Sequence, residues 1–178
     1  MGIWDVALLL LLGYHCLLRT AEMCTLRVCH LLFAASASVA IVVLEDTKTG
    51  QRLGITDTVT ASHAMLVQLL KVYAQGLAPG DFLLRRSVRH LRVIFNALLH
   101  EAKLQPGAAL YSCRRGGATH FFRHAGSMGL TMLRGRWNTE RAARLYINAA
   151  LADRMFYALE PNEMARLEQL AGLLPRAS

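Results

Sequence analysis

Apolar positions dominate the first part of the chain and then change period. Residues 3 to 13 hold Ile3, Trp4, Val6 and the unbroken run from Ala7 to Leu12, and residues 19 to 29 hold a second apolar stretch, so two helices are predicted. Gly13-Tyr14-His15-Cys16 separates them, and Thr20-Ala21-Glu22 puts an acid in the first turn of the second, which stands Arg19 at a helix start. From Leu31 to Thr56 the text turns β-like. The run Val39-Ala40-Ile41-Val42-Val43-Leu44 leads into Asp46-Thr47-Lys48-Thr49-Gly50-Gln51, and Arg52-Leu53-Gly54-Ile55 returns, which predicts a hairpin with Lys48 at its tip. Helical text resumes at about 61 to 75, breaks at Ala78-Pro79-Gly80-Asp81, and continues over about 86 to 104. There Val88, Leu91, Ile94, Phe95, Leu98 and Leu99 recur at three- and four-residue steps. The other face carries Arg85, Arg86, Arg89, His90 and Arg92, a stripe that suits DNA phosphates and equally suits plain solvation. Beyond Pro106-Gly107 come short helices at about 113 to 125, 129 to 135 and 139 to 158, then an amphipathic segment at 161 to 174. The expected fold class is mainly α with one small antiparallel β-sheet (α+β).

Composition narrows this picture. A chain of 178 residues, 54% hydrophobic and 18% charged, can bury one sizeable core. The leucine run looks like part of a secretory signal, but Asp5 stands where a basic residue belongs, and six apolar residues fall far short of the roughly twenty that span a bilayer. A buried helix, and no membrane partner, is the expectation. The net charge of +8 favours a polyanion, either nucleic acid or an acidic membrane surface, and charge alone does not choose between them. Cys16, Cys24, Cys29 and Cys113 form no CxxC pair, so reduced, buried thiols in an intracellular setting are expected, nuclear if the source is eukaryotic. His120 and His124 lie four apart but lack a third ligand at useful spacing, so no metal is expected.

Chemistry enters with Tyr111-Ser112-Cys113-Arg114-Arg115-Gly116-Gly117-Ala118-Thr119-His120, which resembles the H-x-L-R-[HR]-x-x-A-T-H box of tyrosine recombinases, the phage integrase family. In that family a histidine or tryptophan follows the box arginine by about 23 residues and the nucleophilic tyrosine comes about nine later. Here Arg114 to Trp137 is 23 and Trp137 to Tyr146 is nine. Leu133-Arg134-Gly135-Arg136-Trp137-Asn138-Thr139 and Leu145-Tyr146-Ile147 are similar to the family's last segment in its tryptophan form, with wording nearest to eukaryotic mobile-element members such as the DIRS-like and Crypton groups. Upstream, Gly13 to Glu22 resembles the G-x-R-x-x-E box with extra residues before the arginine, which puts Arg19 in the first arginine's place and Glu22 in the supporting acid's. The Asp46 to Gly50 turn looks like the one that delivers the family's lysine, here Lys48.

The resemblance implies DNA strand cleavage and rejoining through a 3′-phosphotyrosyl intermediate, with no metal or cofactor. Arg19, Lys48, Tyr111, Arg114, Trp137 and Tyr146 form the implied catalytic set, Glu22 supports them, and Arg115, Arg134 and Arg136 are expected on DNA. Arginine forks suit the non-bridging phosphoryl oxygens. The Trp137 indole N–H donates without shuttling protons. A lysine with a tuned pKa can protonate the leaving 5′ oxygen, and a phenoxide is the attacking group. Tyr111 departs from the family's histidine, and a phenol is a poor base near neutrality, its ordinary pKa being about 10. Residues 1–160 are assigned to the catalytic domain and 161–178 to a C-terminal helix and tail, without the family's N-terminal core-binding domain. Implied partners are double-stranded DNA and further copies of the chain, a tetramer in the family. Two readings stand beside this one: a DNA-binding module without catalysis, favoured by Tyr111, and a membrane-associated helical protein, favoured by a mean hydropathy of +0.31.

Overall fold

The computed structural model describes residues 2–35, 38–45, 56–103, 108–148 and 159–172. Its organising element is α1 (Gly2–His15), the leucine-rich helix of the sequence. Val6, Leu8, Leu9 and Leu12 have no exposed surface, and Leu10 and Leu11 pack against the same core, so the helix is apolar around most of its circumference because neighbours cover most of it. Those neighbours are α2 (Thr20–Thr25), α3 (Ala64–Ala74), α4 (Val88–Glu101) and α5 (Ser112–Ala125). Asp5 is buried but not alone: it accepts from the Tyr73 hydroxyl at 2.7 Å and from Arg86 Nε at 3.0 Å, so Arg86, which precedes α4, is drawn away from the expected basic stripe. Among the described residues no helix is long and apolar enough to cross a membrane.

The sheet has three antiparallel strands in the order β1 (Leu31–Phe33), β2 (Ala40–Leu44) and β3 (Asp57–Ala61). Register pairs Leu32 with Ile41 and Val42 with Val59, so Ala40, Val42, Leu44, Val59 and Ala61 turn to the core while Ile41, Thr58 and Thr60 face out. The turn that carries Lys48, and the 52–55 return expected from sequence, lie outside the described residues.

Several boundaries differ from the sequence expectation: the strand paired with β2 runs over Asp57–Ala61, so the following helix opens at Ala64 rather than at about 61, and two other helices end early. The helix predicted over 19 to 29 ends at Thr25, because the backbone beyond it bonds to the 78–83 loop: Leu83 N–H to the Leu26 carbonyl at 2.9 Å, Val28 N–H to Asp81 at 3.0 Å and Cys29 N–H to Pro79 at 2.8 Å. A single 3₁₀ turn, Val28–His30, then feeds β1. Cys29 is accordingly exposed, unlike the buried Cys16, and all four thiols are free. Of the helix predicted over 139 to 158, the described part is α7 (Glu140–Arg144), which ends ahead of Tyr146; residues 149–158 lie outside the described residues.

Before α7 comes α6 (Met128–Gly135), and α8 (Pro161–Gly172) follows later. The Ser127 and Thr139 hydroxyls cap α6 and α7 by accepting the Leu130 and Ala142 N–H groups. These segments build a small second core, with Leu17, Ala118, Trp137 and Ala143 buried and Met128, Met132, Tyr146 and Ile147 packed around them.

The contact of α1 with α5 leaves no room for a methyl group at Gly117, whose Cβ would overlap the Tyr14 carbonyl and lie 2.8 Å from Leu17 Cδ2. Gly117→Ala is expected to destabilise by roughly 1–3 kcal/mol, the usual range for overpacking. At Gly116 a Cβ meets only the Tyr14 ring, at 3.6 Å, so Gly116→Ala should stabilise the helix by up to about 1 kcal/mol. Urea midpoints for the pair test this, and equal midpoints would contradict the close approach.

Candidate active site

Arg114 lies on the first turn of α5 and is completely buried. Its Nη1 donates to the Leu17 carbonyl and its Nη2 to the Gly135 carbonyl at 2.8 Å, leaving Nε without a partner among the described residues. Leu17 offers that carbonyl from a left-handed backbone (φ 52), an uncommon state for a residue with a side chain. Burial first, then the positive charge of Arg19 and Arg136, pushes the Arg114 guanidinium down to about 10, so it remains a cation at neutral pH.

Arg19 precedes α2, and Glu22 is folded back onto it. The Glu22 carboxylate accepts the Arg19 backbone N–H at 2.7 Å and its Nη1 at 2.5 Å. The Arg19 side chain keeps 38% of its surface exposed, against 9% for Glu22, so the arginine faces outward while its carboxylate anchor stays inside.

Trp137 and Tyr146 close the cluster. The indole lies 4.9 Å from the Arg114 Cζ and 4.8 Å from the Tyr146 ring, and Arg114 lies 5.3 Å from the latter. The indole N–H is buried without a partner among the described residues. Gly135 makes room for this ring, since a Cβ there would overlap it. The Tyr111 hydroxyl donates to the Tyr146 oxygen, with the rings edge to face at 5.7 Å. Burial and this bond push the Tyr111 phenol up to about 12 against the pull of Arg114 and Arg19. The Tyr111 phenol thus holds its proton near neutrality, with the oxygen of its neighbour within reach of it.

Five of the six residues expected to act together are thus brought together: Arg19, Tyr111, Arg114, Trp137 and Tyr146. Lys48 lies outside the described residues. The three arginines expected on DNA are placed differently from one another. Arg115 is exposed and donates to the Leu145 carbonyl at 3.1 Å. Arg134 reaches the His15 carbonyl at 2.6 Å, and Arg136 reaches Glu22 at 2.7 Å, so both point into the protein, where backbone and carboxylate acceptors hold them. Sequence reading missed the part played by Thr119. Its hydroxyl donates to the Tyr146 carbonyl at 3.2 Å and accepts the Asn148 N–H at 3.2 Å, pinning the nucleophile candidate's backbone to α5. The A-T-H text of the box was its signal.

Beside the cluster, His15 and His63 stack with centroids 4.0 Å apart. The His15 imidazole is pushed from 6.5 down to about 4, by burial first and then by His63, His120 and Arg134. Because the folded state binds this proton less readily than the unfolded chain, its contribution to stability is full above about pH 6.5 and is lost as pH falls toward 4. The thermal midpoint should therefore drop between pH 7 and pH 4.5, and less steeply in His15→Gln. An identical slope in the variant would place the acid sensitivity at other groups.

No family model and no curated protein matches the chain. Solved structures do. The XerH site-specific recombinase bound to a palindromic difH substrate, in a post-cleavage complex, superposes with a TM-score of 0.65 at 14% identity, over 96% of this chain and 45% of the recombinase chain. The same recombinase in a pre-cleavage complex with difH gives 0.65 at 15% identity, over 96% and 47%. The chain thus spans less than half the length of the recombinase it resembles. The fold, helical with a small antiparallel sheet, is that of tyrosine recombinase catalytic domains.

Proposed function

We propose that this chain breaks and rejoins DNA as a tyrosine recombinase catalytic domain, with Tyr146 as nucleophile. The observation that carries this reading is the convergence of Arg114, Trp137 and Tyr146, with ring and guanidinium centres about 5 Å apart, beside a carboxylate-anchored Arg19. Two guanidinium groups that repel one another across a buried cluster await an anion, and a phosphodiester supplies one. The DNA-bound state of the structural neighbours is consistent with that anion.

In the proposed reaction Arg19 and the remaining Arg114 donors neutralise the non-bridging oxygens, and the Trp137 N–H adds a third donor. The Tyr146 oxygen, its proton lost to solvent, attacks phosphorus. The bond to the 5′ oxygen breaks, and that oxygen takes a proton from Lys48, the acid assigned from sequence. Tyr111 has a role distinct from that of a base. By donating to the Tyr146 oxygen it stabilises negative charge there, both before attack and when the phosphotyrosyl bond is reversed. A second reading, a DNA-binding module that does not cut, draws on the same phenol at position 111, which lacks the proton affinity of the family's histidine.

A randomised pool of nicked duplexes, with covalent protein–DNA adducts selected under denaturing conditions, separates the two whatever the target sequence. The expected outcome is an adduct that is absent in Tyr146→Phe, reduced by on the order of 10²–10³ in Arg114→Gln, and slowed up to about tenfold in Tyr111→Phe. Salt-sensitive DNA binding with no adduct from any pool member would favour the non-cutting module.

A further inference from the structure

We infer that Arg136 is a positioning residue for the phosphate clamp: by holding one face of the Glu22 carboxylate, it fixes the direction in which Arg19 presents its guanidinium. The inference rests on the recombinase reading and deepens it. Arg136 terminates α6 in a left-handed conformation (φ 56, ψ 46), with its N–H on the Leu133 carbonyl at 3.2 Å and the next N–H, that of Trp137, on Met132 at 3.0 Å. Helices that close in this way normally place glycine at the left-handed position, and here glycine stands one residue earlier. An arginine there bears backbone strain that a glycine would avoid.

That side chain is only 9% exposed. Its Nη2 lies 2.7 Å from Glu22 Oε2, and its Nε lies 4.0 Å from Asp57 on β3. Nε and Nη1 have no hydrogen-bond partner among the described residues, so the fold does not saturate this cation. A buried charge left so sparsely paired is a poor stabilising device. Its geometry instead serves Glu22, whose Oε1 takes the Arg19 Nη1 while Oε2 takes both the Arg19 backbone N–H and Arg136. With Arg136 in place the carboxylate has one orientation. Without it, Oε2 keeps only the Arg19 backbone N–H, so the carboxylate and the half-exposed guanidinium on it are held less firmly. Since Trp137 follows directly, the same strained turn that places the indole also places Glu22, and so sets two of the groups around the phosphate.

The test uses the full chain and the duplex recovered from the adduct selection. Single-turnover adduct rates and DNA affinity are measured at one salt concentration for wild type, Arg136→Gln, Arg136→Lys, Glu22→Gln and the Arg136→Gln/Glu22→Gln double variant. The expected result is a rate about 10–100-fold slower in Arg136→Gln, with Kd within about threefold of wild type, partial recovery in Arg136→Lys, and a double variant no slower than the worse single one. Three results would overturn the inference while leaving the recombinase reading standing: an unchanged rate in Arg136→Gln, a fall in affinity that matches the fall in rate, or single losses that multiply in the double variant. Should Arg136→Gln fail to fold, Glu22→Gln against Arg136→Lys decides by the same split between rate and affinity. A wild-type chain that yields no adduct removes the recombinase reading and this inference with it.

Discussion

A guanidinium with no exposed surface is an expensive thing to fold around, since taking such a charge out of water costs several kcal/mol unless acceptors replace the lost hydration. Arg114 obtains its acceptors from main chain rather than from a carboxylate: the carbonyls of Leu17 and Gly135, contributed by the segment after α1 and by the end of α6. Those two carbonyls tie three parts of the chain to one cation. Leu17 must take a left-handed backbone to face it, Gly135 must stay without a side chain so that Trp137 can lie close by, and α5 must press against α1 closely enough that Gly117 has no room for a methyl group. Anchoring by neutral carbonyls also leaves the positive charge uncancelled at the place where an anion would be recognised.

Glu22 handles the charge that surrounds this centre. Among the described residues it is the carboxylate that reaches both Arg19 and Arg136, and it raises the affinity of Arg114 for its proton while the other two arginines lower it. The balance is incomplete in electrostatic terms: two guanidinium groups bond Glu22, that of Arg114 lies within its electrostatic reach, and Asp57 stands only at the edge. An excess of cation in a partly enclosed cluster suits an anion whose single charge is shared over two oxygens, the form of the proposed phosphodiester.

Much of this was legible in the sequence, and for identifiable reasons. The leucine run could only be a buried helix, because it was too short for a bilayer and too apolar for a surface. The intervals of 23 and nine brought Arg114, Trp137 and Tyr146 together because they follow from fixed lengths of helix and turn between them. What escaped was decided by tertiary contact. The end of α2 depends on backbone bonds from a loop more than fifty residues away, and β1 is a three-residue edge strand too short to show a period. Arg134 and Arg136 read as surface cations because charge carries no information about direction. Their inward course depends on acceptors, the His15 carbonyl and Glu22, that lie over a hundred positions upstream.

Among the described residues Tyr146 packs against the smaller cluster, that of Leu17, Ala118, Trp137 and Ala143, and not against the core built on α1. The 145–148 backbone is held to α5 by the Thr119 hydroxyl, through the Tyr146 carbonyl and the Asn148 N–H, and by Arg115 on the Leu145 carbonyl. At about 1 kcal/mol each such bonds resist weakly, and small clusters open at lower free energy than the central core that flanks them. The consequence is mechanical: the arginine cradle shares that cluster, since Leu17, whose carbonyl Arg114 bonds, is one of its buried members and Gly135 closes the helix that packs into it. An opening of the small core would therefore release the cradle and the tyrosine together, so that the site is assembled or dismantled as one unit.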